Sequence, residues 1–213
     1  MRGKLITLEG GEGAGKSTVL TAIRERLGEH GTAHQVSREP GGTPLGESVR
    51  ELVLGAHLSG QICAESELLL MFAARAQLVR EVIVPALEAG TWIVSDRYVD
   101  ASYAYQGAGR GQPLDRIAGL EDWACAGIRA DLTLLLDLPV SQGLSRANQR
   151  GAADRIESEQ ADFFERVRTG YRTRAAAEPD RIRVIDSSRK IEQVRNDVLA
   201  VLDEFVATTR SDS

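Results

Sequence analysis

Leu5-Ile6-Thr7-Leu8-Glu9-Gly10-Gly11-Glu12-Gly13-Ala14-Gly15-Lys16-Ser17-Thr18 decides the architecture of this chain. The apolar run at 5–8 leads into G-x-x-x-x-G-K-[ST] at 10–17, and a helical pattern follows. Strand, glycine-rich loop and helix in that order make the motif a phosphate-binding loop. The glycines permit positive φ and let the backbone close on an anion. The loop N–H groups converge there with the positive end of the following helix. Lys16 is placed for β- and γ-phosphates and the Ser17 hydroxyl for Mg²⁺. Gly10, Gly11, Glu12, Gly13, Ala14, Gly15 and Thr18 complete the cradle. The competing reading is a glycine-rich turn with no ligand.

Outward from this stretch, apolar strand-like runs alternate with helical patterns. Strands are expected at 5–8, 33–37, 92–94, 132–138 and 183–185. Helices are expected at 17–29, 45–54, 65–88, 114–126, 140–148, 160–177 and 191–206. Pro85 should kink the long helix or start a new turn. Glycine and proline mark loops at 38–44 and 106–111. This alternation predicts an α/β fold: a five-stranded parallel sheet with helices on both faces. Right-handed crossovers put the strand C-terminal ends on one edge, where ligands bind. Residues 1–207 read as one domain with a short lid at about 149–159, and 208–213 as a flexible tail.

The whole chain is consistent with this. Its 213 residues suit one domain, and 42% hydrophobic with 27% charged residues is a soluble globular composition. A net charge of −5 argues against a general nucleic-acid binder and leaves room for a local basic pocket. No apolar run approaches the length of a membrane span. A strand follows directly on the N-terminus, so no targeting segment is expected. Cys63 and Cys125 lack metal-ligand spacing, which predicts two reduced thiols in the cytoplasm.

Asp96-Arg97-Tyr98 closes the 92–94 strand run. An acidic residue there, beside a phosphate loop, suits a hold on Mg²⁺, and the planar fork of Arg97 suits a phosphate. Taken alone, the two residues read equally as a surface ion pair. Residues 149–157 combine Gly and Ala with Arg150 and Arg155, the makings of a flap that excludes water and brings cations to a phosphoryl group. A solvated charged connection is the alternative. Arg50 is by itself an exposed helix residue. Met71, Phe72 and Arg75 share a helix face, which by itself reads as core. Tyr103 and Tyr105 carry the same reading.

With these motifs in hand, the chain resembles bacterial thymidylate kinases over about residues 3–206. The resemblance rests on LEGGEGAGKST, REPGGTPLGESVR, MFAARAQLV, SDRYVDASYAYQGAGRG, RADLTLLLDLPV and DRIESEQADFFERVRTGY. It implies the nucleoside monophosphate kinase fold, ATP and dTMP as substrates, Mg²⁺ as cofactor and a homodimer, with no nucleic-acid or membrane partner. It implies that Glu12 meets the dTMP sugar 3′-hydroxyl and that Arg38, Arg50 and Arg97 surround the acceptor phosphate. Arg75 is implied at the thymine edge, Ser102 and Gln106 beside the base, and Tyr105 under the sugar. Arg150, Arg155 and Glu157 are implied as lid residues near ATP. Gly13 matches the subtype whose catalytic arginine is in the lid.

One departure concerns the base. Many relatives carry a phenylalanine four residues before the arginine; here that position is Met71, and the phenylalanine is Phe72. Phe72 is expected to stack on thymine, with Met71 as the alternative apolar face.

The implied catalytic set is Lys16, Arg97, Arg150, Arg155 and Glu12, with Ser17 and Asp96 for the metal. A phosphomonoester with a second pKa of about 6 needs no strong general base. His30, His34 and His57 all fall in or near connections. Two other functions compete: a P-loop kinase for another nucleoside monophosphate, and a nucleotide-hydrolysing switch. The Arg38–Thr43 and Asp96–Gly111 blocks oppose the first, and the lack of an N-K-x-D motif opposes the second.

Overall fold

The computed structural model describes residues 2–58, 60–149 and 154–211. Five strands make one parallel sheet in the order β2-β3-β1-β4-β5. They are β1 (Leu5–Gly10), β2 (His34–Arg38), β3 (Trp92–Asp96), β4 (Leu132–Asp137) and β5 (Ile182–Asp186). The central β1 pairs Leu8 with Asp96 on one side and Gly10 with Leu136 on the other. It is buried along its length, as a parallel sheet covered on both faces requires. Because all strands run one way, Gly10, Arg38, Asp96, Asp137 and Asp186 end on one edge.

Alternate strand residues serve opposite faces. Ile6, Leu8, Val94 and Leu134 pack against α1 (Lys16–Glu29) and α9 (Ile191–Ser211). Val19, Ile23 and Leu27 from α1, with Val194, Val198 and Leu202 from α9, supply stripes spaced by four residues. On the other face, Leu5 and Ile93 meet Leu68, Phe72 and Leu78 of α3 (Ala64–Leu78). Leu135 and Ile182 meet Phe164, Val167 and Tyr171 of α8 (Ala161–Ala177). The hydroxyls of Thr7 and Thr133 satisfy each other inside the sheet at 2.7 Å.

The structure corrects three details. The long helix at 65–88 divides into α3, a π-helical stretch Val79–Ile83 and α4 (Val84–Glu88). Pro85 has no N–H to continue the ladder and stands in the first turn of α4, so the new turn that it predicted is there. Residues 106–111 are not simply a loop: α5 (Val99–Ser102) runs on into a π-helical segment, Tyr103–Gly109. That segment packs on α8, where Tyr105 meets Phe163 and Tyr171 edge to face, and packing overrides the glycine signal. Finally, α9 continues to Ser211, so 208–211 are helical where a flexible tail was expected. Asp212 and Ser213 lie outside the described residues. No described helix is long and apolar enough to cross a membrane.

Candidate active site

The phosphate loop leaves β1 and enters α1 with positive φ at Gly13 (70°) and Gly15 (88°). A Cβ on Gly13 would lie 2.1 Å from the carbonyl oxygen of Gly143, on α7 (Val140–Asn148). A Cβ on Gly143 would lie 2.5 Å from the Glu12 carbonyl oxygen. Loop and helix touch backbone to backbone, which glycine at both positions permits. Lys16 Nζ curls over the loop and donates to the carbonyls of Gly10 (3.1 Å) and Gly11 (3.2 Å). Burial, followed by the charge of Arg97, pulls its pKa below the usual lysine value.

A cavity of about 250 Å³ opens beside this loop at the strand edge. Glu12, Lys16, Ser17, Asp96 and Arg97 line it from the loop and β3. Arg38 and Arg50 join them from the segment after β2 and from α2 (Pro44–Leu54). Met71, Tyr105 and Gln106 line it from the other side, and Asp154, Ile156 and Glu157 from the lid. Thr18 is exposed on α1 and does not line this cavity.

Arg97 is the hub of the phosphate side. Its φ of 70° is unusual for a side-chain-bearing residue and is held by its contacts. Its N–H donates to Leu8 O at 2.9 Å. Nη1 donates to Gly10 O (3.1 Å) and the Tyr171 hydroxyl (3.0 Å). Nη2 donates to Glu12 Oε1 (2.9 Å) and the Tyr105 hydroxyl (3.0 Å). The guanidinium lies 4.7 Å from the Tyr105 ring centre. The Tyr105 hydroxyl in turn donates to Glu12 Oε1 at 2.9 Å. Beneath them Glu9 Oε2 accepts from the Tyr171 hydroxyl (2.7 Å), and Glu9 Oε1 from the Tyr98 N–H (2.7 Å). Burial, helped by Asp100 and opposed by Arg97, pushes the Glu9 carboxyl up to about 8.

The loop between β2 and α2 is fixed locally. Arg38 pairs with Glu47 at 2.8 Å, and Glu47 also accepts from the Gly42 N–H at 2.9 Å. Thr43 caps α2 by accepting from the Gly46 N–H at 3.0 Å, with Pro44 in the first turn. Arg50 Nη1 reaches back to Pro40 O at 3.0 Å. Burial, then Arg38, draws its pKa down.

On the base side three expectations change. Met71 lines the cavity, whereas Phe72 turns into the core beneath Arg75, whose guanidinium lies 4.5 Å from its ring centre. Arg75 itself is fully buried behind the wall. It donates to Glu39 Oε2 (Nε, 2.8 Å), the Ser102 hydroxyl (Nη1, 3.0 Å) and Tyr98 O (Nη2, 3.1 Å). Ser102 stands with it behind the wall, so neither lines the cavity. Gln106 and Tyr105 line the cavity.

The lid is the largest change. Asp154 Oδ1 accepts from the N–H groups of Ile156 and Glu157, both at 2.8 Å, making a tight turn. Arg155 does not line the cavity beside the phosphate loop. Arg155 is 5% exposed, donates from Nε to Val53 O at 2.6 Å, and pairs through Nη2 with Glu67 of α3. Arg150, the other expected lid arginine, lies outside the described residues.

Several residues escaped sequence reading. A second cavity of about 300 Å³ flanks the phosphate loop, lined by Gly13, Gly15, Arg146, Ser187, Arg189 and Lys190 among others. Arg146 donates to Ser187 O at 2.9 Å, and the Ser187 hydroxyl donates to Ala14 O at 2.6 Å. Ser187 follows the end of β5, so the strand-edge rule was the signal available for it. Tyr171 and Glu67 offered no such signal.

Two side chains at the strand edge suit a magnesium ion. Asp96 Oδ1 is buried without a hydrogen-bond partner among the described residues, and Asp96 shares the cavity wall with Ser17. No cluster of three or more His, Cys, Asp or Glu suited to a metal occurs among the described residues. One carboxylate and one hydroxyl fit Mg²⁺, which takes few protein ligands and completes its shell with phosphate and water.

The chain also has known relatives. A family profile described as thymidylate kinase matches residues 8–198. The chain is 53% identical to the thymidylate kinase of Methylococcus capsulatus over 205 residues, 96% of this chain and 97% of that protein. It is 52% identical to that of Alkalilimnicola ehrlichii over 208 residues, covering 97% and 94%. It is 50% identical to that of Neisseria gonorrhoeae over 203 residues, covering 95% and 98%. The chain belongs to the thymidylate kinase family.

Proposed function

We propose that this member of the thymidylate kinase family transfers the γ-phosphoryl group of ATP in line to the phosphate of dTMP, giving ADP and dTDP. One observation carries the reading: a phosphate loop lies between two cavities, one lined by Arg38, Arg50 and Arg97 and closed by Met71 and Gln106. A phosphomonoester dianion suits the arginines, and a planar base suits the apolar and amide wall. The second cavity, with Arg146 and Ser187, suits the rest of ATP.

The acceptor phosphate oxygen attacks the γ-phosphorus, and the bond to the β–γ bridging oxygen breaks. With a second pKa near 6, the acceptor is largely a dianion at neutral pH and needs no base. The protein's work is to hold two anions together and offset the charge on the transferring group. Lys16 supplies that cation once it leaves the Gly10 and Gly11 carbonyls. Arg97 holds Glu12 and Tyr105 against the acceptor sugar and lends its charge to the shared edge. Ser17 and Asp96 would hold Mg²⁺, which supplies charge neutralisation at the β- and γ-phosphates.

Arg155 works from the base side in this reading, and Arg150 remains the lid cation for the phosphates. Met71 gives thymine its apolar face. The reaction feeds dTTP synthesis in the cytoplasm. Leu69 on α3, with Leu114 and Trp123 on α6 (Leu114–Ala124), are large exposed apolar residues, which supports a homodimer.

The test is ADP production from ATP and Mg²⁺ with no acceptor, dTMP, dUMP, dGMP, AMP or thymidine. We expect a rate that strongly prefers dTMP. A rate independent of acceptor would replace the kinase with a nucleotide switch.

A further inference from the structure

Glu67 takes no part in the reaction as written above, yet it is 1% exposed and meets four donors. Its Oε1 accepts from Gln106 Nε2 at 2.9 Å and from Arg110 Nε at 3.3 Å. Its Oε2 accepts from Arg155 Nη2 and lies 3.2 Å from Arg110 Nη2. Burial pushes this carboxyl up, but the bonds from Gln106 and Arg155 and the charges of Arg110 and Arg155 outweigh it. The group stays below the usual glutamate value.

A carboxylate can only accept. The Gln106 amide must therefore turn its NH₂ toward Glu67, and its oxygen faces the other way. That oxygen is buried and has no partner among the described residues. It belongs to a side chain on the cavity wall, beside Tyr105 and across from the phosphate loop. An unpaired buried acceptor is costly, and a ligand N–H would relieve it.

We propose that Glu67 is a specificity-determining positioning residue, which locks the Gln106 amide with its oxygen available to the bound base. The proposal rests on the dTMP reading. A pyrimidine whose ring nitrogen carries a hydrogen, as N3 of thymine does, donates to that oxygen. A pyrimidine with a lone pair at N3, as in cytosine, sets acceptor against acceptor and is rejected. Arg110 and Arg155 keep the carboxylate ionised and oriented. The lid and the base reader thus share one anchor.

The experiment compares kcat/KM for dTMP and for 5-methyl-dCMP, which has the same methyl group and outline but a lone pair at N3. Glu67→Gln places a donor beside an acceptor and frees the Gln106 amide to turn over. We expect the dTMP preference to fall by roughly tenfold or more, with the KM for ATP unchanged. A merely structural Glu67 would lower both acceptors by one factor, and an unchanged ratio overturns the proposal. Should Glu67→Gln not fold, Gln106→Leu is the second variant, and a wild-type ratio there overturns it equally. Wild-type protein that leaves dTMP unphosphorylated would sink the function itself. Wild-type protein active on dTMP with an unmoved ratio in the variant would sink only the role of Glu67.

Discussion

The two sides of the acceptor cavity are built differently. The phosphate side comes from short contiguous stretches: residues 10–17, Asp96-Arg97 and the turn around Arg38. Backbone groups, a lysine and strand ends do the work there. The base side is assembled from α2, α3, the Tyr103–Gly109 segment and the lid. Its polar groups are aimed by partners far away in sequence: Gln106 by a residue 39 positions off, Arg155 by one 88 positions off. Two arginines show the consequence. Arg97 stands where its motif put it, whereas Arg155 follows a carboxylate that its own neighbourhood does not contain. Chemistry here is a local property of the chain, and selectivity is a property of the fold.

Three variants can break or sharpen that contrast. Lys16→Ala should have the largest effect, a loss of about a thousandfold in kcat, because a cation aimed at the transferring group is gone. Its ammonium donates to the loop carbonyls of Gly10 and Gly11, so the far-ultraviolet circular dichroism should not change. Near-normal turnover would take catalysis away from the phosphate side. Arg155→Ala should come next, and mainly as instability. Removing one partner of a buried ion pair should cost about 3 kcal/mol in denaturant unfolding. The KM for dTMP should rise while kcat falls far less than in Lys16→Ala. An equal loss of kcat with stability intact would return Arg155 to the phosphates.

The third variant concerns stability against pH and leaves the cavity's own side chains in place. Glu9 is pushed from 4.5 to about 8 in the folded protein, so the native state holds this proton more tightly than the unfolded chain does. The stability it contributes is complete below pH 4.5 and is lost as pH rises through 8. Glu9→Gln should therefore show a smaller fall in Tm across that window. Parallel Tm curves for variant and wild type would show that Glu9 titrates as an ordinary glutamate.

β1, β3 and β4 were legible as mainly apolar runs that end in a polar residue or glycine, β2 (HQVSR) and β5 (IRVID) were placed by the alternation of strands and helices around them, and the strand-edge rule then located the cavity. Lys16, Ser17, Asp96 and Arg97 line it from the motif stretches, and Arg38 and Arg50 line it too, although their own stretches read only as a loop and an exposed helix. The choice between Met71 and Phe72 turned on one position, about 100° of helix rotation. The residue four before Arg75 faces the cavity, and the residue three before it faces the core. The glycines at 107 and 109 signalled a loop, because nothing in that stretch announces the packing of α8 against it. The burial of Arg155 was illegible for the same reason: Val53 and Glu67 are 102 and 88 residues away.

Where Gly13 meets Gly143, two main chains bear on each other with no side chain between them. A side chain absorbs a small displacement by changing rotamer; a carbonyl pressed on an α-carbon has no such slack. Helix α7 carries Gly143, and the lid begins at its end. A shift of α7 at Gly143 would therefore meet the backbone of the phosphate loop directly. The junction is a bearing without a cushion: a methyl group at 13 would meet the carbonyl of residue 143, and one at 143 the carbonyl of Glu12, whatever side chain the other position carried, so each needs glycine on its own account.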